Sequence, residues 1–251
     1  PSAIAAKTKT VLIKDGVPTF VPTSEPRALD AEELPEIVHT YRAAALNAVE
    51  TAGFDGVEIH GANGYLLDQF LKSGSNQRTD DYGGAIKNRA RLLLEVTRAI
   101  VDAIGGGRTG IRLSPVTPGN DAFDADPQPL FEYVVKHLAK LGLAYVHIIE
   151  GATGGPRELP ERPFDYAALK AAYRNAGGKG AWMLNNGYTP ELAEQAVKDG
   201  SADLVAFGKA YIANPDLVER LRARAPLNQP DPSTFYGGGA KGYTDYPALP
   251  S

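Results

Sequence analysis

Cysteine is absent from this 251-residue chain. No disulfide framework, thiolate nucleophile, Cys-held zinc or Cys-ligated iron–sulfur cluster can be built from it. The absence leaves the compartment open, because a chain without thiols is stable in either redox environment. Histidine is scarce, with four residues, and none enters an H-E-x-x-H or other His/carboxylate ligand pattern, so no metal is expected. Positive charge is not in excess: 26 Lys and Arg stand against 30 Asp and Glu, a formal net charge of −4. That speaks against nucleic acid as a partner. No apolar run approaches the roughly 18 residues of a membrane span, and no apolar segment follows a basic start, so no membrane is expected either. There is no G-x-S-x-G elbow, no G-x-x-x-x-G-K-[ST] loop and no G-x-G-x-x-G after a strand. The chain opens at Pro1-Ser2-Ala3 without Met, and its natural start is expected to lie further upstream.

Hydrophobic residues make up 43% of the chain. At this length they can bury one sizeable core, most naturally in a barrel or a large α/β layer fold. Glycine (27) and proline (19) are plentiful, but they punctuate rather than cluster, as in a fold with many short turns. No repeat, low-complexity tract or composition shift marks a boundary, so residues 1–251 read as one domain.

Residues 9–22 read as a hairpin, with Asp15-Gly16 as its turn. Beyond Pro26 the pattern becomes helical: Asp30 and Glu33 form a capping pair, and Ile37, Tyr41, Ala44 and Ala48 follow at helical spacing up to Gly53. Five short apolar runs then suit buried parallel strands: Gly56–Ile59, Gly110–Leu113, Tyr145–Ile149, Trp182–Leu184 and Leu204–Phe207. Amphipathic helices lie between them, one through Leu92, Leu93, Val96, Ile100 and Ile104, one through Leu130, Val134 and Leu138, and one from about Phe164. Asp126, Thr189 and Asn214 each precede Pro, the cap-then-first-turn signature. The alternation predicts a parallel sheet with helices packed on it. Five βα units suit either part of an eight-stranded barrel or an open doubly wound sheet.

In such folds the chemistry gathers at the carboxyl ends of the strands. The first strand ends in His60-Gly61-Ala62-Asn63-Gly64-Tyr65. A His and an Asn three apart on a turn can aim two N–H donors at one oxygen and so polarise a carbonyl. Tyr65 adds a hydroxyl. A plain structural turn held by the Asn side chain explains the same spacing. His39 and His137 fall within amphipathic helices and read as surface residues; His147, within a strand, reads as a satisfied core residue. Arg112 interrupts an apolar strand, and a buried cation needs an anionic partner, which a structural salt bridge would also supply. Asn186-Gly187 and Gly208-Lys209 end neighbouring strands ahead of helices, where backbone N–H groups can cradle a phosphate and Lys209 can add charge. Gly105-Gly106-Gly107 reads as a helix stop, Gly237-Gly238-Gly239 as a flexible loop.

Longer motifs sharpen this. Gly53-Phe54-Asp55-Gly56-Val57-Glu58-Ile59-His60 with Ala62-Asn63-Gly64-Tyr65-Leu66, then Asn76-Gln77-Arg78-Thr79-Asp80-Asp81-Tyr82-Gly83-Gly84 and Asn88-Arg89-x-Arg91, closely resemble the old yellow enzyme family of flavin-dependent ene-reductases. So do Arg112-Leu113-Ser114-Pro115, Phe207-Gly208-x-x-x-Ile212-Ala213-Asn214-Pro215-Asp216-Leu217, and the ending Tyr236-Gly237-Gly238-Gly239-x-x-Gly242-Tyr243-Thr244-Asp245-Tyr246-Pro247. The resemblance runs over essentially the whole chain. It implies a (β/α)8 TIM barrel holding non-covalent FMN, reduced by NADPH or NADH, acting on small activated alkenes in the cytoplasm. It implies that His60 and Asn63 bind the substrate oxygen and that Tyr65 donates the proton. Arg112 would lie beside the flavin pyrimidine and ribityl chain, with Asn186, Gly187, Gly208 and Lys209 at the FMN phosphate and Tyr236 lining the substrate pocket. Lys209 stands where the family usually has Arg, so a fork contact becomes a point charge.

The resemblance begins at about the fourth barrel strand. This chain is therefore expected to supply five βα units and an N-terminal hairpin, the first three strands coming from a complementary N-terminal fragment, another chain or a longer parent. Two other readings use the same residues: a barrel lyase or isomerase on a phosphorylated substrate with His60 or Lys209 as acid/base, and a non-catalytic fragment that only pairs with its complement.

Overall fold

The structure, a computed structural model, describes residues 1–14, 16–236 and 239–250. Asp15 of the expected hairpin turn, and Gly237 and Gly238 of the expected flexible loop, lie outside the described residues. Strands β1 (Lys9–Lys14) and β2 (Val17–Pro22) pair antiparallel, as their richness in β-branched residues predicts. Helix α1 (Leu34–Leu46) follows a turn in which the Asp30 N–H donates to Glu33 Oε2 at 2.7 Å. It widens into a π-helical turn over Asn47–Thr51 and stops before Gly53, whose φ is +74°.

The core sheet is built from β3 (Val57–Gly61), β4 (Thr109–Leu113), β5 (Tyr145–Ile149), β6 (Ala181–Asn185) and β7 (Leu204–Ala206), parallel and in sequence order. Between them run α2 (Leu66–Leu71), α3 (Ile86–Arg89), α4 (Arg91–Ile104), α5 (Pro127–Leu138), α6 (Tyr166–Asn175) and α7 (Pro190–Lys198), and after β7 come α8 (Lys209–Ala213) and α9 (Leu217–Ala223). All five expected strands are present. Thr189 caps α7 through its side chain, which accepts from Leu192 N–H, and Asp165 caps α6, which begins at Tyr166, two residues beyond Phe164. The expectation for Asn214 needs correcting. The helix after Pro215 begins at Leu217 with Asp216 before it. The Asn214 side chain instead donates to Ala210 O and Asn228 O and accepts from Asn228 N–H, so it ties down the C-terminal segment.

Alternation along the strands divides their side chains. Ile59, Ile111, Leu113, Val146, Ile148, Trp182 and Leu184 are buried in one cluster with Leu92, Leu93, Val96 and Ile100 of α4 and Leu130, Phe131, Val134 and Leu138 of α5. Each such large apolar side chain contributes about 1.5–3 kcal/mol on burial. The alternate positions are largely polar, namely Glu58, His60, Arg112, Tyr145, His147 and Asn185. They form the sheet's inner face.

The long Asn76–Arg91 motif is scaffolding. Asn76 Nδ2 donates to Phe70 O and Tyr82 O, at 2.6 and 2.7 Å. Arg78 pairs with Asp80, and Arg89 donates to Leu71 O and pairs with Asp124. These bonds hold the 72–90 segment against the C-terminal end of α2 and the Asp124 loop. Among the described residues, no cluster of His, Cys, Asp and Glu suits a metal ion, and no helix is long and apolar enough to cross a membrane.

Candidate active site

The register sets His60 against Arg112 and Arg112 against His147, a row of three nitrogen bases across β3, β4 and β5. His147 Nδ1 lies 2.8 Å from Glu58 Oε2. Burial pushes the Glu58 carboxyl up, but the hydrogen bond and charge of His147 outweigh it and hold the group below its usual value. His147 is thus only partly the satisfied core residue expected, because its Nε2 is buried without a partner. His39 is exposed, whereas His137 is half-buried with Nδ1 2.8 Å from Tyr133 O.

Arg112 has no carboxylate within salt-bridge distance among the described residues. Its one side-chain bond runs from Nη2 to Asn185 Oδ1 at 3.2 Å, and its Nε is buried with no partner. A structural salt bridge therefore does not account for it. A guanidinium edge held among polar neighbours with an orphaned donor is fitted to an acceptor-rich planar group. Asn185 was not singled out from the sequence. Its Nδ2 donates to Ala206 O at 2.8 Å, which turns its oxygen toward Arg112. The available signal is its place two residues after Met183 and four after Ala181, which puts the three on one face of the strand.

His60 ends the same face of β3. Burial first, and then the Arg112 charge, push its imidazole below the usual value. The ring is therefore neutral at pH 7 and carries one N–H for an oxygen. Asn63 follows in a left-handed conformation (φ +57°), and Gly64 repeats it (φ +72°). A Cβ on Gly64 would sit 2.3 Å from Gly119 O, so glycine is required there. Asn63 Oδ1 accepts from Thr153 Oγ1 at 2.8 Å, and no hydrogen bond engages Nδ2 among the described residues. Tyr65 precedes α2 with its ring 5.0 Å from that of His60 and its side chain exposed. Asn63, Tyr65, Thr117, Asn120 and Thr153 line a cleft of about 270 Å³. The structure thus brings His60, Asn63, Tyr65 and Arg112 to one end of β3 and β4.

The proposed anion residues follow neighbouring strands, since Asn185 of β6 pairs with Ala206 of β7. Gly187 has φ +64°. The Asn186 side chain is committed to the preceding loop: Nδ2 donates to Glu150 O and Ala152 O, and Oδ1 accepts from Gly154 N–H. Only its backbone is left for a ligand. Gly208 and Lys209 are exposed at the start of α8. Tyr236 is 93% exposed and is not brought to the cleft.

A model of the NADH:flavin oxidoreductase / NADH oxidase family matches residues 5–228. Among curated proteins, 12-oxophytodienoate reductase 7 of Oryza sativa subsp. japonica is 47% identical over 253 residues, covering 95% of this chain and 62% of that protein. A probable flavin mononucleotide-dependent alkene reductase of Leishmania infantum is 46% identical over 228 residues, covering 91% and 60%. The chain thus spans about three fifths of the length of these relatives. Among solved structures, morphinone reductase in complex with tetrahydroNAD superposes with a TM-score of 0.90 at 44% identity, over 100% of this chain and 66% of that one. The old yellow enzyme homologue from Zymomonas mobilis gives 0.88 at 37% identity, over 99% and 68%. The five βα units and their sheet are therefore part of a TIM-barrel architecture.

Proposed function

The chain belongs to the NADH:flavin oxidoreductase / NADH oxidase family, and from that premise we propose that the whole protein is an FMN-dependent ene-reductase. Its substrates would be enones, enals, maleimides or nitroalkenes. The observation that carries the reading is Arg112, a half-buried cation whose Nε is buried without a partner, placed in register beside His60. When bound, FMN supplies the hydride, taken from NADPH or NADH, that reaches the substrate's β-carbon.

The residues of this chain do the rest. Arg112 would hold the polar edge of the flavin. The backbone near Asn186, Gly187 and Gly208, with Lys209, would hold its phosphate. The His60 ring N–H and Asn63 Nδ2 bind the substrate's carbonyl or nitro oxygen. Negative charge builds on that oxygen only as the alkene is reduced, so these donors favour the transition state over the ground state. The Tyr65 hydroxyl delivers the proton that completes the saturated product. Tyr236, exposed in this chain, would line the pocket of the completed barrel. A cytoplasmic location goes with the supply of reduced nicotinamide.

The rest of the barrel belongs to this proposal. A closed parallel barrel has eight strands, while β3 and β7 are edges of the five-stranded sheet. Three further βα units, from a longer polypeptide or a complementary chain, would cover the inner face carrying Glu58, Arg112 and His147. The test is a visible spectrum of the purified protein followed by anaerobic titration with each nicotinamide. A flavin band bleached by NADPH or NADH and restored by an enone is expected, and a colourless protein that acts on a phosphorylated sugar would overturn the reading. A flavin band that elutes with this 26.7 kDa chain alone would overturn the need for further strands.

A further inference from the structure

Beneath the Asn63-Gly64 turn lies an ion pair with no solvent contact. Asp68 Oδ2 and Lys72 Nζ are 2.8 Å apart, and both side chains are 0% exposed. They stand four residues apart, on one side of α2 and its C-terminal end. Such a pair is poor value as a source of stability, because both charges lose their hydration. Its bonds point to another use. Asp68 Oδ2 also accepts from Gly64 N–H at 2.8 Å. Lys72 Nζ also donates to Ser114 O at 2.9 Å, and Ser114 Oγ accepts from Asn63 N–H at 2.7 Å. The two consecutive amides of the left-handed turn are therefore gripped by two groups that Lys72 ties together. A left-handed Asn carries a modest backbone strain, and here the bonds to both amides offset it.

We propose that Asp68, Lys72 and Ser114 are positioning residues that hold the Asn63-Gly64 turn so that the Asn63 amide meets the oxygen bound by His60. The proposal rests on reading His60 and Asn63 as an oxygen site. None of the three residues touches the substrate. They act through the backbone of the turn.

Two double variants in the FMN-loaded protein separate positioning from mere stability. D68N/K72M removes both charges but keeps an oxygen acceptor for Gly64 N–H. D68L/K72M removes the acceptor as well. Apolar replacement of a buried ion pair is commonly tolerated, so both should fold. The readouts are the hydrogen-exchange rate of the Asn63 and Gly64 amides and the dissociation constant of a para-substituted phenol, an oxygen ligand for His60 and Asn63. D68L/K72M should speed exchange at Gly64 at least tenfold and weaken the phenol about 10–100-fold, the range in which supporting partners of ligand groups act. D68N/K72M, which keeps an acceptor for Gly64 N–H but loses the Lys72 tie to Ser114 O, should fall between wild type and D68L/K72M in both readouts, and flavin content should be equal in all three. Unchanged exchange and affinity in D68L/K72M, or equal losses in both variants, would overturn the proposal. Should D68L/K72M not fold, S114A decides: it should speed exchange at Asn63 and weaken the phenol, and wild-type values for both would overturn the proposal. If the wild type binds no phenol at all, the oxygen-site reading fails, and the exchange rates alone still report whether the pair holds the turn.

Discussion

Thr153 Oγ1 donates to Asn63 Oδ1 at 2.8 Å, joining the loop after β5 to the turn after β3. An amide has an acceptor at one end and donors at the other. Engaging the oxygen therefore settles which end is left for a ligand, and here it is Nδ2. Thr153 itself lines the same cleft.

Thr153→Val keeps the shape and removes the donor. The Asn63 amide would then be free to turn its oxygen toward the substrate's oxygen. A typical hydrogen bond contributes a net 0.5–1.5 kcal/mol, so enone and phenol binding should weaken about 2–10-fold. Thr153→Ser should restore it, and flavin content should not change. Calorimetric titration with a phenol checks this, and wild-type affinity in the valine variant would show that Thr153 does not orient the amide.

Tyr65 stands close to His60 but exposed, well placed to exchange protons with solvent. A general acid matters most when the reduced substrate is an unstable anion. Enolates are, whereas nitronates persist in water. Tyr65→Phe should therefore slow enone reduction by roughly 10²–10⁴ and leave the reductive step on a nitroalkene nearly intact. Stopped-flow traces with both substrates test the difference, and equal slowing of the two would remove Tyr65 from the role.

The fold, and the residues proposed as an oxygen site, stand out in the sequence for different reasons. The five strands announced themselves as short apolar runs because one face of each is buried under helices. His60, Asn63 and Arg112 were conspicuous because each breaks a local rule: a ring base at a strand end, an Asn before Gly, a cation inside a strand. Asp68 and Lys72 break the same rule within Leu66-Leu67-Asp68-Gln69-Phe70-Leu71-Lys72 but do not stand out, because spacing four on a helix also describes an ordinary surface pair. Thr153 could not have been found from spacing at all. It meets Asn63 across 90 positions of sequence, and only the folded sheet brings the two loops together. The sequence does not show how the Asn186 side chain is used. A residue beside a glycine at a strand end is equally suited to clasping its own neighbouring loop, and that is how its side chain is used.

His60 makes a prediction about pH. Burial and the Arg112 charge lower its folded-state pKa beneath the usual 6.5. Between that lowered value and 6.5 the unfolded chain binds more protons at this residue than the folded one, so stability rises with pH there. The contribution is complete above 6.5 and is lost as pH falls through the folded value. His60→Gln removes the titration and keeps an N–H donor. Urea unfolding at several pH values from about 7.5 down to 5 should show a smaller loss for the variant than for the wild type. Parallel curves would mean that the folded imidazole is not held neutral.

Lys209 offers the sharpest check on the cofactor. It is exposed at the start of α8, beside Gly208 and one strand from Gly187. A lysine there acts as a mobile point charge rather than a planar fork, so its attraction for a phosphate should be strongly screened by salt. FMN should bind the wild type more tightly than riboflavin, which lacks the phosphate, and the gap should shrink as salt is raised. Lys209→Ala should weaken FMN retention, leave riboflavin affinity unchanged and flatten the salt dependence. Lys209→Arg should tighten FMN, because two parallel N–H···O bonds can then form. Fluorescence titration with the two flavins at low and high salt measures all of these. Equal affinity of the wild type for FMN and riboflavin would show that the ends of β6 and β7 hold no phosphate.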